Sequence, residues 1–193
     1  MDLTQGTLEE KNKRAKKMML WFGIVSLIMS FGGLTSAFIV SSSREDWLQD
    51  FVLPQAFTIS LVLIVVSSIT FILAKRALKA SNRSATTLFL LITFALGIGF
   101  IISQFIGFNQ IIELGYNFTG PTSNITMSYI YVIAFAHIAH VIAGLICLLV
   151  VIYNHFKQKY NASKMLGLEL AATFWHFVDI LWLYLFFFLY FFR

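Results

Sequence analysis

Charge is what this sequence has least of. Only 12% of its 193 residues are Asp, Glu, Lys or Arg, about half the share of a soluble domain. So few solubilising side chains cannot clothe a water-facing surface, which excludes an ordinary soluble fold. Cysteine is nearly absent too. Cys147 stands alone, so an internal disulfide framework and a cysteine-cluster metal site are excluded. Its apolar surroundings predict a small buried hydrophobe. The chain also lacks a Ser/His/Asp nucleophile arrangement, a phosphate-binding glycine loop and a four-ligand metal set. What it has is apolar surface: 59% hydrophobic residues, 17% aromatic, and 21 phenylalanines.

A helix needs about 20 apolar residues to cross the hydrocarbon core. Five stretches qualify: 18–40, 51–74, 84–112, 128–155 and 166–192. The fold class is therefore all-α, a polytopic five-helix membrane bundle spanning 18–193, preceded by a basic tail over 1–17. The third stretch is long enough to tilt or to project from the bilayer. Between the third and fourth, Gly115, Asn117, Gly120, Pro121 and Asn124 form a turn-rich polar connection.

Lysine and arginine then set the orientation. The tail carries Lys11, Lys13, Arg14, Lys16 and Lys17, the second loop Lys75, Arg76, Lys79 and Arg83, and the fourth Lys157, Lys159 and Lys164. The first loop has only Arg44, against Glu45, Asp46 and Asp50, and the third has no basic residue. Twelve of the fourteen basic residues thus fall on one side, which places the N-terminus in the cytoplasm and the C-terminus, at Arg193, on the exterior or periplasmic face. This alternation also accounts for the net charge of +5 without a nucleic-acid partner. The first stretch is too long for the apolar region of a cleaved signal peptide, and no convincing small-residue cleavage site follows it.

Polar residues inside the spans are expensive in hydrocarbon and must face protein, water or a headgroup. In the first span Gly23, Ser26, Ser30, Gly33 and Ala37 follow helical spacing, a stripe that predicts close helix packing. In the second, Ser60 and Ser67 share a face, with Ser68 and Thr70 beside them. In the third, Gly97 and Gln104 face together, and Gln104 requires a partner on a neighbouring helix. The fourth aligns His137, His140, Gly144 and Cys147. The two histidines suit interhelical hydrogen bonding better than metal binding, since no third ligand stands near them on this helix. The fifth carries a strip of Glu169, Thr173, His176 and Asp179, flanked by Trp175 and Trp182. His176 and Asp179 are expected to pair with each other or with the facing helix. A buried carboxylate of this kind serves either a functional site or a lock between helices or subunits.

The run Glu169-Leu-Ala-Ala-Thr-Phe-Trp175-His176-Phe177-Val178-Asp179-Ile-Leu-Trp182 resembles the terminal-helix signature of subunit III of haem-copper oxidases. Four further segments resemble the family in order: Ser26 to Leu34, Ser67-Ser68-Ile-Thr70, Leu96-Gly97 through Phe100 to Gln104, and Phe135-Ala-His137-Ile-Ala-His140-Val141-Ile-Ala-Gly144. The likeness runs from about Met18 to the end and is to the short, five-helix form.

The resemblance implies an accessory subunit of a proton-pumping cytochrome c oxidase of aa3 type in aerobic respiration, in a bacterial cytoplasmic (inner) membrane. Such a subunit has no active site of its own. It packs on catalytic subunit I, binds ordered phospholipid in a cleft between its helices, and supports proton uptake. Haem and copper belong to subunits I and II. The implied partners are those two subunits and membrane lipids, with a small subunit IV and a respiratory supercomplex as further associations. Gln104, His137, His140, Glu169, Trp175, His176, Asp179 and Trp182 are carried over as an interhelical polar and packing network, and none as catalytic.

Three positions depart from the family pattern. Leu27 stands where a glutamate commonly follows the serine, Gly107 where a glutamate often follows Gln104, and Ser60 where asparagine is common. Three other readings are compatible with the residues: a haem-bearing anchor using His137 or His140 with His176, a small transporter built on the Glu169–Asp179 strip, and an assembly factor. The lack of an internal repeat weighs against the transporter.

Overall fold

A computed structural model describes residues 7–48, 53–118, 120, 123–161 and 165–192. Asp50, Phe51, Pro121, Lys164, Arg193 and the first six residues of the tail lie outside the described residues. Five α-helices follow in order: α1 Leu8–Ser41, α2 Gln55–Lys79, α3 Arg83–Glu113, α4 Ile125–Phe156 and α5 Leu166–Phe191. All five are long and apolar enough to cross a membrane, and no strand occurs among the described residues. The chain is an integral membrane protein.

Local chemistry sets the helix ends. Thr7 and Glu10 form a reciprocal capping box, each side chain bonded to the other's backbone N–H. The backbone bond to Thr7 holds the Glu10 carboxyl below its usual pKa. With that cap, α1 begins at Leu8, so most of the expected basic tail is a helical extension of the first span. At 34 residues α1 is about 51 Å long, so it outreaches the roughly 30 Å hydrocarbon core. Pro54 precedes α2 in an extended conformation, which starts that helix later than the apolar run alone suggests. Asn82 and Asn124 cap α3 and α4 by accepting from Ala85 N and Thr126 N. Gly115, at φ +89°, takes the left-handed conformation that ends α3.

The helices α2, α3, α4 and α5 form a closed ring in which each packs on two neighbours, α2–α3 being the most extensive pair. α1 lies outside the ring against α4 and α5. The face it buries is Ile24, Phe31, Thr35 and Phe38, one stripe at helical spacing. Thr35 and Ser41 hydrogen-bond the hydroxyls of Tyr184 and Tyr129 at 3.0 and 2.9 Å. Three of these four buried residues lie in the half of α1 remote from its basic end.

This differs from the sequence expectation. Gly23, Ser26, Ser30 and Gly33 are exposed, Ala37 is half-buried, and none of the described residues approaches Gly23 or Gly33 closely. Spacing identifies residues that share a face. It does not say which face turns inward, and here the larger Phe31 and Phe38 side chains fill the groove between α4 and α5. Cys147 is likewise exposed, because α1 diverges from α4 at that depth.

Candidate functional site

Ser60 and Ser67 of α2 do the same work one heptad apart. Each hydroxyl donates to the carbonyl three residues earlier, Phe57 O and Ile64 O, both at 2.8 Å. Each lone pair is then free for a donor from another helix. Ser60 accepts from Gln104 Nε2 of α3 at 2.8 Å, and Ser67 accepts from Trp175 Nε1 of α5 at 3.1 Å. Around them the α2–α3 seam is closed by Ser103 Oγ donating to Ala56 O at 2.7 Å and by Thr70 and Thr93 sharing a hydroxyl bond at 2.8 Å. Ser103 and Thr93 were not singled out in the sequence. Thr93, eleven residues before Gln104, shares its face of α3 and could have been found by that spacing, whereas Ser103, the adjacent residue, lies about 100° round the helix and had no such signal. In a membrane such bonds contribute roughly 0.6 kcal/mol each on average, so the set specifies register more than it supplies stability.

Trp175 is the keystone. Its side chain is 1% exposed, and its indole lies over two glycines on different helices. A Cβ built on Gly97 of α3 would meet Trp175 at 2.7 Å, and one on Gly144 of α4 would meet it at 3.0 Å. With its bond to Ser67, one α5 side chain therefore touches α2, α3 and α4. A Cβ at Gly97 cannot fit without a shift, and one at Gly144 would crowd the indole, because backbone and ring share the space.

Gly107 has the same relation to a different ring. A Cβ there would sit 2.5 Å from Phe57 Cε1. Phe57 is itself held edge-to-face by Phe108 and Trp182, with ring centres 6.2 and 5.9 Å away. The departure from the family's glutamate at Gly107 thus has a local cause: an aromatic ring occupies the volume.

His137 and His140 are not used as the sequence suggested. His137 is fully buried and stacks on Trp182 at 4.9 Å, with Phe100 and Phe31 edge-on at 5.7 and 6.4 Å. Neither ring nitrogen has a hydrogen-bond partner among the described residues. His140 Nδ1 bonds Ala136 O of its own helix at 2.6 Å, and Phe31 packs against its ring. The expected interhelical hydrogen bonds are replaced by aromatic contacts and a bond back along α4. The rings responsible come from α1, α3 and α5, so helical spacing on α4 could not show them. Three aromatic side chains crowd His137, which leaves no approach for a planar macrocycle.

The strip on α5 is divided among neighbours. Glu169 pairs with Lys17 of α1 at 3.6 Å, half-exposed at the basic end, where an ion pair stabilises little. Thr173 donates to Glu169 O. His176 Nδ1 meets Ser68 Oγ of α2 at 2.7 Å. His176 and Asp179 do not bond each other. Asp179 is 2% exposed, neither of its oxygens accepts a bond of good geometry, and Ser68 is the polar side chain that bears on it. Of the two arrangements expected for His176, the facing helix is the one found, and Ser68→Ala is the change that frees its ring. Among the described residues, Gln104 Oε1 and Trp182 Nε1 are also buried without hydrogen-bond partners. No group of three or more potential metal ligands occurs among the described residues.

Residues 17–193 match the family model described as cytochrome c oxidase subunit III. The chain is 30% identical over 171 residues to cytochrome c oxidase subunit 3 of Thermostichus vulcanus, covering 86% of this chain and 82% of that one. It is 28% identical over 185 residues to the protein of the same name from Alkalihalophilus pseudofirmus, with 94% and 87% covered. It is also 28% identical over 162 residues to cytochrome bo(3) ubiquinol oxidase subunit 3 of Pseudomonas putida, with 83% and 74% covered.

Proposed function

The chain belongs to the cytochrome c oxidase subunit III family, and from that premise we propose that it is the accessory, non-redox subunit of a proton-pumping cytochrome c oxidase of aa3 type. It steadies catalytic subunit I, retains phospholipid and supports proton uptake, while haem and copper reside in subunits I and II. Its basic end faces the cytoplasm of a bacterial cell, and Gln104, His137, His140, Glu169, Trp175, His176, Asp179 and Trp182 serve helix packing. A small subunit IV and a respiratory supercomplex are further partners in this reading.

The observation that carries the non-redox role is the use made of the fourth helix's histidines. One is enclosed by Trp182, Phe100 and Phe31, and the other is bonded to its own backbone. A haem anchor needs an axial imidazole nitrogen aimed at an open space; its aromatic enclosure denies His137 one, and His140, which borders a groove beside α1, has Nδ1 committed to Ala136 O. In this reading transition-metal chemistry is the partner's.

The proposal is tested by purifying the complex through a tag on this chain in mild detergent. One copy of the chain per haem-bearing catalytic subunit is expected, in a preparation that consumes oxygen with reduced cytochrome c as donor. Recovery of the chain alone and monodisperse, or of an oxidase that accepts quinol but not cytochrome c, contradicts the assignment in whole or in its donor.

A further inference from the structure

Trp175 and Trp182 stand one heptad apart on α5 and are equally buried, at 1% exposed, yet they are served differently. Around Trp175 the ring supplies Ser67 of α2, Gly97 of α3 and Gly144 of α4. One heptad further from the basic end, every helix of the ring contributes again: Ser60, Gln104, His137 and Trp182. Two contacts show that these four form a second layer. Gln104 Nε2 donates to Ser60 Oγ at 2.8 Å, and the His137 and Trp182 rings stack at 4.9 Å.

Phe57 and Phe100 tie the two pairs together. Each precedes its partner in the Ser60–Gln104 bond by one turn, and α2 and α3 run antiparallel, as Ala56–Ser103 and Thr70–Thr93 contacts show. The two phenylalanines therefore lie on opposite sides of that bond along the ring axis. Both pack on the Trp182 indole, with ring centres 5.9 and 5.3 Å away. The indole is thus held at the level of the Ser60–Gln104 bond, with His137 stacked upon it.

In the first layer the polar groups are matched, because Trp175 Nε1 donates to Ser67 Oγ and the other two positions are glycines. In the second, Gln104 has taken the serine. Among the described residues, Trp182 Nε1, Gln104 Oε1 and both ring nitrogens of His137 are buried without hydrogen-bond partners. Polar groups at membrane depth have no bulk water to turn to, so such a set calls for a partner inside the protein. The indole offers only a donor, the amide oxygen only an acceptor, and a neutral imidazole one of each. Neither a bare cation nor a bare anion satisfies that set. A molecule that both accepts and donates does.

We propose that the layer of Ser60, Gln104, His137 and Trp182 is a binding site for one buried water molecule, which accepts from Trp182 Nε1 and the His137 N–H and donates to Gln104 Oε1. A buried water makes about three hydrogen bonds of this kind. It joins α3, α4 and α5, as Trp175 joins α5 to α2, α3 and α4 one heptad away. Its bond to His137 selects the tautomer whose N–H faces the water. The proposal rests on the helix ring alone and not on the identity of an oxidase partner.

The test uses the intact complex purified through this chain, with tryptophan labelled in heavy nitrogen and magic-angle-spinning spectra edited for magnetisation transfer from water. Trp175→Phe and Trp182→Phe assign the two indole signals. The Trp182 N–H is expected to show a water cross-peak, and the Trp175 N–H, equally buried but bonded to Ser67, is expected to show none. Ser60→Asn supplies a carboxamide in place of the water: its oxygen accepts from Trp182 Nε1 and its NH2 donates to Gln104 Oε1. In that variant the cross-peak should be lost while the Trp182 indole signal itself persists.

A Trp182 indole as dry as that of Trp175 in the parent complex would overturn the proposal, and that comparison needs no variant to assemble. Equal water contact at both indoles would overturn it as well, since hydration would then be general and not confined to one layer. So would a cross-peak unchanged by Ser60→Asn, or a density map in which Trp182 Nε1 bonds Gln104 Oε1 directly at about 3 Å.

Discussion

Trp175→Ala is expected to destabilise the four-helix ring by about 3–5 kcal/mol, the range for removing a large buried aromatic side chain. The reason is geometric. The indole fills the space that Gly97 and Gly144 leave on α3 and α4, and its Nε1 reaches Ser67 on α2. The two facing positions are glycines and carry no side chain to refill that volume. Trp175→Phe separates the contributions: it keeps most of the ring, loses the bond to Ser67, and should cost about 1 kcal/mol. Unfolding of the purified chain in mixed micelles, followed by circular dichroism as denaturing detergent is added, measures both. An alanine variant within 1 kcal/mol of the parent would mean that Trp175 is not what holds the ring closed.

The second large effect concerns Gly107. Gly107→Glu should prevent native packing of the α2–α3 pair, since even a Cβ at that position lies 2.5 Å from the Phe57 ring. That ring is 1% exposed and wedged against Phe108 and Trp182, so it cannot swing aside. Overpacking of this kind costs about 1–3 kcal/mol, and an unpaired carboxylate adds a further cost, smaller than at a helix centre because Gly107 lies six residues from the end of α3. Gly107→Ala should show the steric part alone. Phe57→Ala introduced with Gly107→Glu should restore part of the loss, because the two positions compete for one volume. In a double-mutant cycle a coupling of at least 1 kcal/mol is expected between them. Additive effects would mean that the Phe57 ring does not set the identity of residue 107.

The five spans were legible because crossing hydrocarbon imposes a length and an apolarity that few other constraints imitate. Gln104 was legible as a residue requiring a partner, and Ser60 as a polar residue on a helix face, but the pairing of the two depends on α2 and α3 being neighbours. Trp175 was visible as a flank of the α5 strip and, through the resemblance, as a packing residue, but not as the link between three helices. Its signal lay elsewhere in the chain, in Gly97 and Gly144, two gaps on separate helices that one large side chain fills. The misreadings have a common physical origin. Helical periodicity reports which residues point together, yet the direction in which they point is decided by side chains on other helices. Gly23, Ser26, Ser30 and Gly33 share a face and stay exposed, because Phe31 and Phe38 on another face of α1 meet the α4–α5 groove. His137 and His140 share α4 and go to aromatic neighbours and to their own backbone. The exposed small-residue stripe of α1 is a surface this chain alone does not cover.

The function follows from what the interior contains and how it is used. Most of the hydroxyl, amide and indole groups buried among α2 to α5 join helix to helix, and His137, fully buried, is packed among aromatic rings. Such an interior suits a scaffold whose chemistry is performed by the subunit beside it. The central claim is therefore that the chain sustains an oxidase without contributing a redox centre. The most direct measurement compares the oxidase purified from cells with and without this chain, recording the haem spectrum, the initial oxygen consumption and the decay of activity during turnover. The same spectrum and a similar initial rate, with activity lost sooner in the complex that lacks the chain, are the predicted results. A haem band that vanishes with the chain, or an activity that endures equally well without it, would contradict the account.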